Sequence, residues 1–158
     1  MKTRPEKLIE AYRMTRHLEG GSYLEVFSSA EEKDGRALSG SIYFLLDKEE
    51  TSCLHRIDCE ELWYYHEGCG LRITVLTPEG GKEELLLGRN AEKGERAMAA
   101  VPKGVIFGAE NLDKNGYTFV SCVTTPKFSS EGCRIIEEDE LYEQYPAFAD
   151  ELKHLLLK

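Results

Sequence analysis

The hydrophobic and polar positions at the start of the chain follow a helical pattern. Leu8 and Tyr12 lie one helical turn apart. Thr3 and Glu6, three residues apart, can form a capping box in front of them. This pattern predicts a short N-terminal helix, which we expect to end at Glu19-Gly20-Gly21.

From there to about residue 135, short runs of Val, Ile, Tyr, Phe and Thr alternate with Gly, Pro, Asn and Asp. The runs predict strands at Ser22–Phe27, Ala37–Leu46, Ser52–Ile57, Glu61–His66, Leu71–Thr77, Lys82–Leu87, Glu95–Val101, Val105–Ala109 and Tyr117–Thr124. The clearest hairpin turns are Pro78–Gly81 and Asp113–Gly116. Strands at this regular spacing favour a sandwich or barrel.

The pattern becomes helical again after Pro126. An acidic first turn predicts a helix over Glu138–Tyr145, and Pro146 is placed to begin a last helix. One face of that helix carries Phe148, Leu152, Leu155 and Leu156. We expect His154 to be a solvated surface residue, and surface positions are also expected for His17 and His66.

Composition narrows the function classes. The 158 residues fit a single domain, and 29 Asp and Glu against 20 Lys and Arg give a net charge of −9. This charge opposes binding to nucleic acids or anionic membranes, so neither is expected as a partner. The longest apolar run, Ile42–Leu46, is too short to span a bilayer, and the first residues lack the apolar core of a signal peptide. We therefore expect a cytoplasmic protein.

Five cysteines occur without any C-x-x-C pair. An odd number in this arrangement argues against a disulfide framework and against a zinc knuckle. Free and mostly buried thiols are predicted.

The segment from Ser52 to Gly68 contains most of the candidate catalytic and ligand-binding side chains. Strand alternation places Cys53, His55 and Ile57 on one face, and Glu61, Trp63 and Tyr65 on one face of the next strand. We expect both faces to point into one cavity. Burying a histidine and a glutamate is costly unless they are paired, and a ligand pocket would explain the cost.

This segment resembles the first motif of the cupin superfamily, H-x-H, three or four residues, E, six residues, G, through His55, Glu61 and Gly68. Pro102–Asn111 fits the frame of the second motif, P-x-G-x-x-H-x-x-x-N. Ile57 and Phe107 replace two of the histidines. Of the four usual metal ligands, only His55 and Glu61 remain.

Further segments are similar to the uncharacterised cupin-5 branch, which looks like sugar-nucleotide epimerases. They are His17–Glu25, Ile42–Leu46, His55-Arg56, Glu61–Trp63, Val101–Gly104 and Cys122–Phe128. The resemblance implies an all-β fold, the cupin double-stranded β-helix or jelly-roll barrel, with a short N-terminal helix and C-terminal helices. It also leads us to expect a homodimer that uses the N-terminal region and an edge strand.

By the same resemblance, the barrel holds a small metabolite and acts as an isomerase or epimerase. His55 would be the base, Glu61 its partner, and Tyr43 or Tyr23 the acid on the opposite face of a sugar carbon. The residues expected to bind the ligand are Tyr23, Glu25, Cys53, Trp63, Tyr65 and Phe107.

Two alternatives stay open. The first is a binding module without catalysis. The second is a cupin with a divalent metal on a reduced ligand set of His55 and Glu61, although no cofactor is predicted on balance.

Overall fold

Two antiparallel sheets form most of the molecule, as shown by a computed structural model that describes residues 1–158. In chain order the strands are β1 (Thr15–Arg16), β2 (Ser22–Ser28), β3 (Glu32–Lys33), β4 (Arg36–Ala37), β5 (Gly40–Asp47), β6 (Thr51–Ile57), β7 (Glu60–Gly68), β8 (Leu71–Leu76), β9 (Lys82–Leu87), β10 (Met98–Val101), β11 (Ile106–Asn111), β12 (Tyr117–Thr125) and β13 (Cys133–Ile135).

The first sheet has the order β1-β2-β5-β12-β7-β10, and the second has the order β13-β6-β11-β8-β9. Strands β3 and β4 form a separate hairpin. From β5 to β13 the chain crosses back and forth between the two large sheets, as in a jelly roll, except that the consecutive strands β8 and β9 both lie in the second sheet. The predicted all-β jelly-roll barrel with terminal helices is confirmed.

The main core lies between the two sheets. The first sheet contributes Phe44, Trp63 and Val120, and the second contributes Ile73 and Phe107, among others. These residues alternate with outward-facing neighbours along their strands, because successive strand side chains point to opposite faces. The interior is therefore apolar over most of its length, and a polar group inside it needs a partner.

Helix α1 (Arg4–Tyr12) begins with the predicted capping box between Thr3 and Glu6. It ends earlier than predicted. Arg13 adopts the left-handed conformation with φ 55°, its N–H caps the last turn, and the chain then extends into β1. Leu8 covers the outer face of the first sheet against Leu45.

The C-terminal segment covers the outer face of the second sheet with α2 (Glu138–Gln144) and α3 (Ala149–Leu152), followed by a 3₁₀ turn at Lys153–Leu155. The expected start at Pro146 is wrong, because Pro146 lies in a turn and α3 begins after Phe148. No helix combines the length and the apolar character that crossing a membrane requires.

Candidate functional site

A cavity of about 290 Å³ opens at the end of the barrel where β5 and β7 begin and where β2 and β12 end. Its wall is the inner face of the first sheet, completed by the loops around residues 17–19 and 127–130. The aromatic lining residues are Tyr23, Phe27, Phe44, Trp63 and Phe128. The ionisable ones are His17, Glu19, Glu25, Glu61, Cys122 and Lys127.

Glu19 enters the barrel from a tight turn. Gly20 has φ 108°, and a Cβ on it would lie 2.1 Å from the carbonyl oxygen of Thr51. Only glycine fits this close approach in this conformation. The turn brings the backbone of Glu19 beside β6, where its carbonyl accepts a hydrogen bond from the N–H of Cys53 at 2.8 Å. The carboxyl group of Glu19 is thereby fixed at the cavity wall, and the residue is 7% exposed.

His55 is paired with Glu19, not with Glu61. Its Nε2 lies 3.1 Å from Oε2 of Glu19, and its Nδ1 lies 2.6 Å from the carbonyl oxygen of Cys53. A carbonyl only accepts, so Nδ1 carries a proton. The contact with Glu19 then needs one further proton, held either by Nε2 or by the carboxyl group. His55 and Glu19 are therefore a buried pair that shares a proton.

The position of His17 differs from the surface position expected from the sequence. Its side chain is 8% exposed and its ring packs against those of Tyr23 and Phe44. Nδ1 of His17 accepts a hydrogen bond from the backbone N–H of Glu19 at 3.2 Å. Burial lowers the pKa of His17. His17 is thus a neutral imidazole that helps to fix the Glu19 turn.

Glu61 lies at the start of β7 and lines the cavity, with 9% of its surface exposed. Burial raises the pKa of Glu61 well above its ordinary value, and the nearby charge of Glu19 raises it further. The indole of Trp63 opposes the shift, although its N–H has no acceptor in good hydrogen-bond geometry. Burial therefore favours the neutral acid form of Glu61, which can donate a proton.

The mouth of the cavity carries an ion pair. Nζ of Lys127 lies 2.7 Å from Oε1 of Glu25 and 3.2 Å from Oγ of Ser28. The lysine stem crosses Gly40, where an added Cβ would lie 2.7 Å from Cγ of Lys127. The absence of a side chain at Gly40 therefore provides the space that Lys127 needs to reach Glu25.

Tyr43 is not brought to this site. Its neighbours on β5, Ile42 and Phe44, line the cavity, so Tyr43 points to the outer face of the sheet. There its ring packs 4.9 Å from that of Tyr12 and 5.4 Å from that of Phe119. The proposed pairing of His55 with Tyr43 is therefore wrong in geometry, whereas Tyr23 does line the cavity.

The other predicted ligand-binding residues divide into two groups. Glu25 and Trp63 line the cavity with Tyr23. Phe107 is fully buried behind it, with its ring 4.3 Å from that of His55. Cys53 is buried under the Glu19 turn, and Tyr65 donates a hydrogen bond to the carbonyl of Gly68 at the far end of β7.

All five cysteines are free, as predicted, and three of them are buried. Burial raises the pKa of Cys53 and of Cys59 to about 12. These thiols are protonated at neutral pH, and a thiol is a poor nucleophile in that form.

The residues do not fit the metal that the family resemblance implies. Ile57 and Phe107 occupy two of the four ligand positions, and His55 is bound to Glu19 and to a backbone carbonyl. No group of three or more His, Cys, Asp or Glu side chains is arranged to hold a metal ion. Metal sites need such a set of donors.

Sequence reasoning missed Glu19, His17 and Lys127 as site residues. The pair of glycines after Glu19 is the one local signal, since a Gly-Gly turn permits a close backbone approach. Nothing in the local pattern indicates that Glu19 meets His55, because the contact joins a loop to a strand 36 positions further along.

Comparison with known proteins agrees with this architecture. An X-ray structure of a Shewanella oneidensis protein matches with a TM-score of 0.93 and 32% identity over 99% of both chains. A hypothetical protein from Leishmania major matches with a TM-score of 0.89 and 31% identity over 99% of this chain and 100% of its own. Oxalate decarboxylase from Bacillus subtilis shares the fold, with a TM-score of 0.59 and 18% identity over 89% of this chain and 36% of that enzyme.

No protein of curated function gives a significant match. The model of one family, described as cupin superfamily (DUF985), matches residues 6–136. These residues include β1 to β13 and every residue that lines the cavity. The chain therefore belongs to the DUF985 family of the cupin superfamily.

Proposed function

We propose that this cupin is a small-molecule enzyme of the isomerase or epimerase type, in which Glu19 is the base and Glu61 the acid. The observation that carries the proposal is the presence of two carboxyl groups in one cavity with opposite environments. Glu19 is paired with an imidazole, and Glu61 has no cationic partner. Two carboxyl groups in different environments are a common basis of acid–base catalysis.

His55 takes a different role from the one the family resemblance implied. It does not line the cavity, and both of its ring nitrogens are engaged. Oε1 of Glu19 accepts only a weak bond from the thiol of Cys133, at 3.4 Å. Glu19 is thus the group that can reach a ligand, and His55 is a positioning residue that holds Glu19 and shares its proton.

The chemistry is proton transfer next to a carbonyl group. Glu19 accepts a proton from the carbon beside the carbonyl, and the electron pair of that C–H bond forms a C=C bond. The carbonyl π pair moves to its oxygen, which takes the proton of Glu61. Glu19 ends neutral and Glu61 ends charged, so the total charge in the cavity is conserved. In the second step a proton returns to either face of the same carbon or to the former carbonyl carbon, and the ionised Glu61 takes the proton of the hydroxyl group that becomes the carbonyl of the isomer.

The cavity size limits the substrate. Small-molecule sites usually measure about 300–1,000 Å³, and this one, at about 290 Å³, is at the lower limit. A ketose or another small hydroxyketone fits this volume better than a nucleotide sugar does.

The experiment is solvent exchange followed by proton NMR in D₂O, with dihydroxyacetone and erythrulose as probes. We expect the wild type to exchange the protons beside the carbonyl, or to form the aldose isomer, above the rate in buffer alone. Glu19→Gln and Glu61→Gln should each lower the rate by about a hundredfold or more. Glu79→Gln, on an exposed turn that does not line the cavity, is the control.

Binding of both ketoses without exchange in the wild type would refute catalysis of this type and favour the binding module. Equal exchange in Glu19→Gln and the wild type would refute the assigned base. His55→Gln separates positioning from catalysis, since we expect it to lower the rate less than Glu19→Gln does while its pH profile changes.

A further inference from the structure

Trp63 lines the cavity and carries a buried donor that lacks an acceptor in good geometry. It is the only tryptophan of the chain, it is 2% exposed, and it lines the cavity wall. Its indole N–H has no acceptor in good hydrogen-bond geometry, and the carboxyl group of Glu61 is the nearby acceptor. A buried donor without a partner is costly, and such groups call for an explanation. A ligand acceptor in the cavity supplies one.

The indole is held rigidly in this position. Trp63 is paired with Cys122 on one side and with Ala99 on the other, so its backbone lies in the middle of three strands. The ring of Phe44 packs edge-on against it, at 5.9 Å and an interplanar angle of 89°. The N–H is therefore a fixed donor, and an indole offers no acceptor of its own.

Glu61 stands beside this donor. Glu61 and Trp63 are two residues apart on β7, so their side chains share the face that lines the cavity. A carbonyl oxygen has two lone pairs and can accept from both groups at once. Two donors on one oxygen stabilise the negative charge that develops there when a neighbouring proton is removed.

The charges of the cavity restrict the ligand further. Three carboxyl side chains line it against one ammonium group, Lys127, and that group is already bound to Glu25. An anionic ligand would therefore meet carboxyl groups without a free cation. An uncharged ligand avoids this cost.

We propose that the N–H of Trp63 and the carboxyl group of Glu61 together bind the carbonyl oxygen of a small uncharged hydroxyketone. This inference deepens the proposed function and rests on it for the nature of the ligand. It assigns Trp63 as the residue that selects for an oxygen acceptor at the reacting carbon.

The test replaces the indole N–H group of Trp63 and leaves the rest of the protein unchanged. Because the chain has a single tryptophan, growth of a tryptophan auxotroph on benzothienylalanine exchanges the N–H of Trp63 for sulfur and alters no other position. We expect dihydroxyacetone to bind this protein about threefold to tenfold more weakly than the wild type. Ligand-observed NMR measures the dissociation constants, and thermal unfolding checks that both proteins are folded.

Trp63→Phe is the second variant, in case incorporation is incomplete, and it should weaken binding by at least the same factor. Tyr43→Phe is its control, because Tyr43 lies on the outer face of the same sheet and does not line the cavity. In the wild type, dihydroxyacetone should shift the emission of Trp63. Unchanged affinity in the sulfur analogue, or no binding of dihydroxyacetone to the wild type, would overturn the inference.

Solvent exchange in the same samples separates the two proposals. Weaker binding in the analogue together with no exchange in any sample would support the role of Trp63 and refute the catalytic proposal. Exchange with equal KM in the analogue and the wild type would refute the role of Trp63 and leave the catalytic proposal standing.

Discussion

Two of the three acidic residues that line the cavity, Glu19 and Glu61, differ in what burial does to them. Glu19 gains a proton-sharing partner in His55, whereas Glu61 is buried beside the charge of Glu19 and is driven to its neutral form. A raised pKa in the folded state makes stability depend on pH. The unfolded chain ionises this carboxyl near pH 4.3, as an ordinary glutamate does.

We therefore predict that the contribution of Glu61 to the stability of the wild type is lost as the pH rises from about 5 to 8. The stabilisation is complete below the unfolded pKa and is lost as the pH rises towards and through the raised pKa of Glu61. Glu61→Gln cannot ionise, so its free energy of unfolding should fall less over this range. Urea unfolding at several pH values measures the difference.

The range stops at pH 8 because the buried thiols, whose pKa values are also raised, begin to contribute above it. Glu19→Gln is the informative companion, since removing its charge should reduce the pH dependence caused by Glu61. Parallel pH profiles for the wild type and Glu61→Gln would show that Glu61 is ionised in the folded protein.

At this scale the sequence predicts which strand residues point inward. Alternation alone placed His55, Glu61 and Trp63 inside the barrel. It could not identify the partner of His55. Glu61 is the nearer acid in sequence, but the pairing is decided by the turn at Gly20, which brings Glu19 across the end of β6.

At the scale of elements, the C-terminal helices act as a cover for the second sheet. Leu152 is 2% exposed and packs in a cluster that includes Leu54 and Ile106 of β6 and β11. Leu157, five residues later, is 52% exposed. We predict that Leu152→Ala costs about 2–5 kcal/mol of unfolding free energy, while Leu157→Ala stays within about 0.5 kcal/mol of the wild type.

Denaturant titrations of the two variants and the wild type provide the measurement. Equal effects of the two substitutions would mean that α3 does not hold the cover in place. The rate at which Leu152→Ala exchanges the protons of dihydroxyacetone should also be measured. An unchanged rate would show that the packing of the C-terminal helices does not affect the cavity, which lies at the first sheet.

The longer elements were predictable because each has an apolar period and clear turn residues. The short ones were not. Strands β3 and β13 have two and three residues, too few for a period, and β13 forms by pairing with β6. The end of α1 depends on Arg13 adopting a left-handed conformation that no local glycine announces.

At the scale of the whole molecule, the homodimer stays a prediction. The free edges of the first sheet are β1, in the N-terminal region, and β10. On β10, Met98 lies beside Tyr64 of β7, and both are more than a third exposed. Exposed edges with apolar neighbours favour pairing.

Light scattering on the native protein should give about twice the chain mass of 17.9 kDa. Met98→Glu should lower this value if β10 is the contact, and Leu157→Glu is the matched control on an unrelated exposed residue. A mass of one chain at all concentrations would contradict the dimer.

The net charge of −9 and the acidic residues of the cavity both disfavour the binding of anionic ligands. We predict that dihydroxyacetone phosphate binds at least about tenfold more weakly than dihydroxyacetone at low salt. The gap should narrow as the Debye length falls from about 30 Å at 0.01 M to about 8 Å at 0.15 M salt. The emission of Trp63 reports both affinities, because it is the only tryptophan and lines the cavity.

Glu25→Gln tests whether the mouth of the cavity sets this preference. The substitution removes one negative charge and releases Lys127 from its contact of 2.7 Å. The freed ammonium group can then meet a phosphate, so the variant should bind dihydroxyacetone phosphate more tightly than the wild type, and its affinity for dihydroxyacetone should change less. Tighter binding of the phosphate than of the neutral ketone by the wild type, weakened by salt, would mean that Lys127 leaves Glu25 for an anionic substrate.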